Sequence, residues 1–320
     1  MEIRPLGETG LIASRIGLGL AARGRPAYID VDRDRDIGPA RSRAAMEVRS
    51  YNVLDAAYGV GVRYLDVARS YGDAEAFLRD WLAARDPDDV VVGSKWGYTY
   101  VGGWRLDADV QEVKDLSVAT LRRQIAESRR LLGGHLALYQ IHSATIESGV
   151  FDDRELLDEL RSIRESGLVL GFSTSGPKQA DAIVRGLRER VDGAPLFSTV
   201  QSTWNVLEPS AGPALAEAHA DGRGVLIKEA MANGRLAAID GPLAGVAGRL
   251  GTTPDRIALA AVCAQPWADI VLSGAVTVGQ VRSNASAVDV VLPDDVLVEM
   301  GALAQPSERY WAERAALPWR

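Results

Sequence analysis

Seven short apolar or β-branched runs in this 320-residue chain carry, at or near their ends, a polar residue. "VRYLD" ends on Asp66, "VVVGSK" on Lys95 and "LALYQIH" on His142, while "LVLGFSTS" supplies Ser173, "LFSTVQS" Gln201, "GVLIKEA" Glu229 and "DIVLSGA" Ser273. Beyond Asp66, in "GVRYLDVARSYGDAEAFL", stand a phenol and a turn glycine, Tyr71 and Gly72. Any one of these alone reads as an ordinary strand end or helix cap. In succession, with a carboxylate, an ammonium and an imidazole on adjacent runs, they point to a shared polar mouth built from groups that hold and move protons.

The elements that would position them follow from the rhythm of the chain. "MEIRPLGETGLIASRIGLGL" reads as a hairpin turning at Gly7 to Gly10 and leading into a strand at Ile16 to Leu20. Each later run is separated from the next by an amphipathic stretch; in "VATLRRQIAESRRLLG", Leu121, Ile125 and Leu132 share one apolar face with Ala119 and Ala126. Eight strand–helix units predict parallel strands closed into a (β/α)8 TIM barrel, with an N-terminal β-hairpin and long loops at the C-terminal face, where the strand ends build the site. No linker or low-complexity tract interrupts the pattern, so residues 1–320 read as a single barrel domain, and the charge-dense segment 30–43 as a solvated loop.

Composition narrows the function classes. Hydrophobic residues make up 47%, enough for a large core, and a net charge of −7 argues against nucleic-acid or anionic-membrane partners. One cysteine, Cys263, and three histidines leave no disulfide framework and no metal site; Cys263 reads as core, His135 and His219 as surface. "GLGLAARG" has the wrong glycine spacing for a dinucleotide fingerprint. Without a leader or an 18-residue apolar run, a cytoplasmic location is expected.

"GVRYLDVARSYG" matches Gly-x-Arg-x-x-Asp-x-Ala-x-x-Tyr-Gly, and with "VVVGSKWG", "LALYQIHS" and "VLSGAVTVGQVRSN" in the same order the chain resembles the aldo-keto reductases. The resemblance implies catalytic Asp66, Tyr71, Lys95 and His142. A carbonyl reduction needs a hydride at carbon and a proton at oxygen. Tyr71 would give the proton, Lys95 would lower its pKa from about 10, Asp66 would keep Lys95 charged, and His142 would orient the substrate oxygen. It also implies cofactor contacts from Ser173, Thr174, Gln201, Ser273, Gly274, Ala275, Gln280 and Asn284, with Lys228 and Glu229 standing where the family usually has a stacking aromatic. Trp204 is a possible substitute for that aromatic.

The cofactor is expected to be NADP(H), with NAD(H) the alternative. The lysine and arginine that grip the 2′-phosphate in many members are missing, leaving backbone N–H groups near Val276 to Val278 to receive it. The substrate is expected to be a small hydrophobic aldehyde, ketone or alcohol, in a pocket shaped by Trp96, Trp104, Trp204, Tyr310 and Trp311. The tail, about 305–320, would cross the mouth, so that its deletion disturbs substrate binding first. The rival readings are a non-catalytic nicotinamide-binding regulatory protein, like the potassium-channel β subunits, and a barrel hydrolase or isomerase. A glycosidase would need paired carboxylates across the mouth, and the fourth run ends in His142 instead.

Overall fold

The structure, a computed structural model, describes residues 1–31 and 33–319. Eight parallel strands close into a barrel in sequence order: β1 Ile16–Gly19, β2 Tyr64–Asp66, β3 Val91–Trp96, β4 Leu136–Ala144, β5 Val169–Thr174, β6 Thr199–Thr203, β7 Gly224–Lys228 and β8 Ile270–Ser273. The helices that follow them are α1 Arg43–Gly59, α2 Ala74–Arg85, α3 Val118–Leu132, α4 Arg154–Glu165, α5 Gln179–Leu187, α6 Gly212–Ala220, α7 Pro254–Cys263 and α8 Val278–Ala285. This is the expected (β/α)8 architecture. No helix among the described residues is long and apolar enough to cross a membrane.

Alternation along each strand sorts side chains between two cores. On β3, Ser94 points outward to Glu75 of α2, while Lys95 next to it faces the barrel interior and Asp66. The outer core lies between strands and helices; Phe151, Phe172 and Phe197 meet there edge to face, with centroids 5.2–6.0 Å apart. The inner core, with Leu6, Tyr64, Leu138, Leu226 and Ile270, fills the floor. Ile3–Pro5 and Ile12–Ser14 form the expected hairpin across the N-terminal end. Its Gly7, at φ +51°, packs so tightly that a Cβ would lie 2.4 Å from Gly224 N. Side-chain caps start the helices: Ser117 Oγ accepts from Thr120 N, and Asp153 Oδ1 from Leu156 N.

One expectation is corrected. Segment 30–43 is not simply a solvated loop: it contains a short helix, Arg33–Ile37, whose Arg33 is buried and donates to the carbonyls of Ala22, Arg25 and Pro26. Asp32 of that segment, like Arg320 of the tail, lies outside the described residues. After β3, Tyr98–Tyr100 and Glu112–Lys114 pair as an antiparallel ribbon. Beyond α8 come α9 Asp294–Gly301 and α10 Ser307–Ala315.

The tail helix α10 belongs to the packed body. Tyr310 and Trp311 are buried with Leu236, Leu243, Val296 and Met300, and Tyr310 Oη accepts from Asn205 Nδ2 at 3.0 Å. Deleting residues from Gln305 onward is therefore expected to lower stability by several kcal/mol, as each buried aromatic is worth about 3–5 kcal/mol. A thermal melt of the truncated chain checks this. An unchanged Tm would return the tail to the purely substrate-shaping part expected of it from sequence.

Candidate active site

At the C-terminal ends of β2 and β3 a buried ion pair forms the base of the site. Lys95 Nζ donates to Asp66 Oδ1 and, at 3.0 Å, to the Val67 carbonyl. Asp66 Oδ2 accepts from Gln201 Nε2 of β6 at 2.8 Å, so both carboxylate oxygens are engaged. Burial pushes the Lys95 pKa down, and Asp66 opposes that shift.

Tyr71 reaches the same place from the loop after β2. Gly72, at φ +60°, runs so close to the loop after β1 that a Cβ would lie 2.2 Å from Gly24 O. This backbone-to-backbone contact fixes the turn that carries Tyr71. Lys95 Nζ lies 5.1 Å from the Tyr71 ring centroid, and His142 meets that ring edge-on at 5.6 Å. Tyr98 packs against the other side of His142 at 5.0 Å.

The His142 Nδ1 is buried without a hydrogen-bond partner among the described residues. Burial, then the charges of Lys95, Lys228, Arg25 and Lys114, hold the imidazole pKa well below its usual value. His142 is therefore neutral and able to donate one hydrogen bond. Its strand end is irregular: the β4–β5 register shifts after Ile141, and Ser143, at φ +54°, donates its N–H to Ser173 Oγ at 2.8 Å.

The expected lowering of the Tyr71 pKa is not found. Burial and the nearby Asp66 push it well above 10, against the opposing charge of Arg25. In this enclosure Tyr71 is a protonated phenol, suited to donate to a developing alkoxide.

The end of β7 holds a charged cluster. Arg314 of α10 grips Glu229 through Nε at 2.9 Å and Nη2 at 2.5 Å, and Thr203 Oγ1 lies 3.2 Å from Glu229 Oε2. Lys228 Nζ donates to Thr203 Oγ1 at 2.8 Å and sits 5.8 Å from the Trp311 ring centroid. Burial alone would raise the Glu229 pKa, but Lys228 and Arg314 bring it down to about 2. Burial brings Lys228 down to about 8.

Asp66, Tyr71, His142, Gln201, Lys228, Glu229, Ser273 and Gly274 line one cavity of about 310 Å³, with Lys95 bonded to its Asp66 wall. An adjoining cavity of about 580 Å³ shares Tyr28, Asp30, Glu229, Leu272 and Gly274 with it and continues to Ala275, Gln280 and Asn284. The two cavities adjoin along these shared residues, with His142 lining the first and Asn284 the second. Ser273 Oγ and the Asn284 amide lie 2.8 Å apart.

Other expected residues are occupied elsewhere. Thr174 Oγ1 is buried and bonded to Ser202 Oγ at 2.8 Å. Ser173 serves the Ser143 N–H already described and, like Thr174, does not line the cavity. The backbone N–H groups of Val276 and Thr277 already donate to Gln280 Oε1, at 2.8 and 3.2 Å. Gln280 Nε2 in turn donates to Asp36 at 2.6 Å.

The aromatic residues expected at the pocket are not in its walls. Trp96 is fully buried and Trp204 packs edge-on to Trp267 at 5.5 Å. Trp104 Nε1 donates to the Arg41 carbonyl at 2.8 Å, and Tyr310 and Trp311 are in the core described above. Short polar strand ends cannot be covered by Trp side chains that the outer core already holds. The walls instead include Arg25, Tyr28, Tyr98, Glu112, Arg314 and Trp319. Tyr98 and Trp319 were visible as aromatics near the mouth; nothing local in "ARGRPAYID" marks Arg25 as the residue that binds Glu112 at 2.7 Å and the Ser70 carbonyl at 2.9 Å.

Comparison with known proteins agrees with this geometry. Residues 38–305 match the Aldo/keto reductase family. The chain is similar to norsolorinic acid reductase of Aspergillus flavus, 26% identical over 166 residues that cover 50% of this chain and 41% of that protein. It is similar to aryl-alcohol dehydrogenase (NADP+) of Phanerodontia chrysosporium, 25% identical over 167 residues covering 49% and 42%. The matches thus span about two fifths of these relatives' length. An aldo-keto reductase of Bacillus halodurans, in its holo form, shares the fold with a TM-score of 0.73, covering 96% of this chain and 97% of that one at 19% identity.

Proposed function

We propose, for a chain that belongs to the aldo/keto reductase family, that it interconverts an aldehyde or ketone and the corresponding alcohol with a nicotinamide cofactor, residues 1–320 working as one barrel domain in the cytoplasm. The observation that carries this is the meeting of Tyr71, His142 and the Lys95–Asp66 pair at one cavity that adjoins a second, larger one. Gln201, Ser273, Gly274, Gln280 and Asn284 line one cavity or the other and would hold the cofactor, which supplies the hydride.

Neutral His142 orients the carbonyl oxygen by one hydrogen bond. Tyr71 then gives its phenolic proton to that oxygen as negative charge develops there, and takes it back in the alcohol direction. Lys95, held by Asp66, supplies the nearby positive charge that stabilises the phenolate left behind. Enclosure within the barrel strengthens these interactions relative to water.

The direct test follows NADPH oxidation with a panel of aldehydes and ketones, alongside cofactor titration by energy transfer from tryptophan. Turnover supports the reading. Cofactor binding with no turnover of any carbonyl favours a regulatory nicotinamide-binding protein instead.

NADP(H) is the cofactor the family resemblance favours, but its 2′-phosphate would meet weak recognition. Asp36 and Asp255 stand beside Gln280 and Asn284 in the larger cavity; of its two arginines, Arg33 donates to the carbonyls of Ala22, Arg25 and Pro26 and Arg35 lies 3.7 Å from Asp36, and Gln280 already uses the Val276 and Thr277 N–H groups. The preference for NADPH over NADH is expected to be that of one charge-assisted hydrogen bond, roughly 10- to 100-fold at most, and to shrink with salt. Dissociation constants at low and high ionic strength check this; a clear NADH preference under both conditions would refute the assignment to NADP(H).

A further inference from the structure

Three of the carboxylates around the smaller cavity have a cation in close contact. Asp66 is taken by Lys95, Glu112 by Arg25, and Glu229 by the two-pronged grip of Arg314. Lys228 shares Glu229 only at longer range. Its Nζ is 3.9 Å from Glu229 Oε1, beyond hydrogen-bond reach, and it donates only to the Thr203 hydroxyl. Two of its three N–H donors therefore have no acceptor among the described residues. The side chain is only 18% exposed, so water compensates it poorly.

The location of this charge matters. Lys228 lines the same cavity as Tyr71 and His142, and its field is one of those that keep His142 neutral. Asp30 also lines the cavity, but it lies where the two cavities join and is not among the groups that set the charge state of Lys228.

From this geometry we infer that the substrate is an anion: a small oxo acid whose carboxylate is received by Lys228 while its carbonyl lies against Tyr71 and His142. This rests on the oxidoreductase reading above and replaces the hydrophobic substrate expected from sequence. In the step, the carbonyl carbon takes the hydride of the reduced nicotinamide, which is oxidised, and the carbonyl oxygen takes the Tyr71 proton. The carboxylate passes through unchanged, so the product is a hydroxy acid. Lys228 acts on affinity and orientation, not on the proton.

The test compares 2-oxobutanoate with 2,3-pentanedione, in which an acetyl group replaces the carboxylate. In the wild type, kcat/KM for the acid should exceed that for the dione by roughly 10- to 100-fold, the weight of a hydrogen bond to a charged group. Lys228→Met should collapse that ratio toward one, mainly through the KM of the acid, and Lys228→Arg should recover part of it.

The wild type gives a second measurement if the variant does not fold. Lys228, with Glu229, Arg314, Lys95 and Asp66 around it, titrates near pH 8. The KM of the acid should therefore rise between pH 7 and 9 while that of the dione does not follow it. A wild-type ratio near one, or a ratio that Lys228→Met leaves unchanged, overturns the inference and leaves the reductase reading standing. Calorimetric titration with oxamate, an unreactive 2-oxo acid mimic, against neutral ethyl oxamate separates the other case. Lys228-dependent oxamate binding without turnover of any carbonyl upholds the anion site while the oxidoreductase reading falls.

Discussion

Tyr71→Phe is expected to lower carbonyl turnover by roughly 10²–10⁴-fold, the usual weight of a positioned proton donor. The phenyl ring keeps the edge contact with His142 and the place beside Lys95, so cofactor affinity should change little. Only the group that carries the proton is lost. The charge state adds an independent check. Burial and Asp66 raise the Tyr71 pKa, so the phenol stays protonated through neutral and mildly alkaline pH. Ultraviolet difference titrations of wild type and Tyr71→Phe should coincide up to about pH 10 and separate only above it. Near-wild-type turnover by the purified variant would remove Tyr71 from the acid role, and an extra phenol titrating below pH 10 in the wild type would reverse the sign of its shift.

The second large effect is on stability. Lys95→Met leaves Asp66 as a buried carboxylate with Gln201 as its remaining side-chain donor, and breaking a buried pair from one side typically costs about 3–5 kcal/mol. Removing both charges together, in Lys95→Met with Asp66→Leu, should recover much of that loss, because no uncompensated ion is left. Urea denaturation of the two variants measures the difference. If the single variant is as stable as the wild type, the pair is not a structural anchor and Asp66 is being neutralised or hydrated in some other way.

The parts of this architecture that were legible in the sequence are those with local periodicity. "AEAFLRDWLAAR" is the helix Ala74–Arg85, and each polar strand end lies where a run of β-branched residues stops. That Asp66 and Tyr71 lie at one place was legible because they sit with Gly72 in one short motif. Pairings between distant segments were not. Nothing near Glu229 shows that its partner is Arg314, on a helix that lines the cavity with Arg314 and Ala315 and also packs Tyr310 and Trp311 into the core. The tryptophans misled for a physical reason: a large apolar ring gains most from full burial, and the helix layer offers that more readily than a polar mouth. The Tyr71 shift was also missed, because Lys95 beside it suggested a lower pKa while the depth of burial, which sets the sign, has no signature in the sequence.

The last wall of the cavity comes from the far end of the chain. Trp319 bridges Ile29, and Arg25 lies 4.7 Å from the Trp319 ring centroid. On a ribosome, the four tetrad residues emerge early, because they all lie in the first half of the chain. At roughly 5–20 residues per second, they then wait many seconds before Arg314 and Trp319 arrive. Until then Glu229 lacks its arginine, and Val296 and Met300 lack the aromatics that cover them. A prematurely terminated product would thus carry Asp66, Tyr71, Lys95 and His142 together with an uncovered apolar face, a combination that chaperones and proteases can distinguish from the folded barrel.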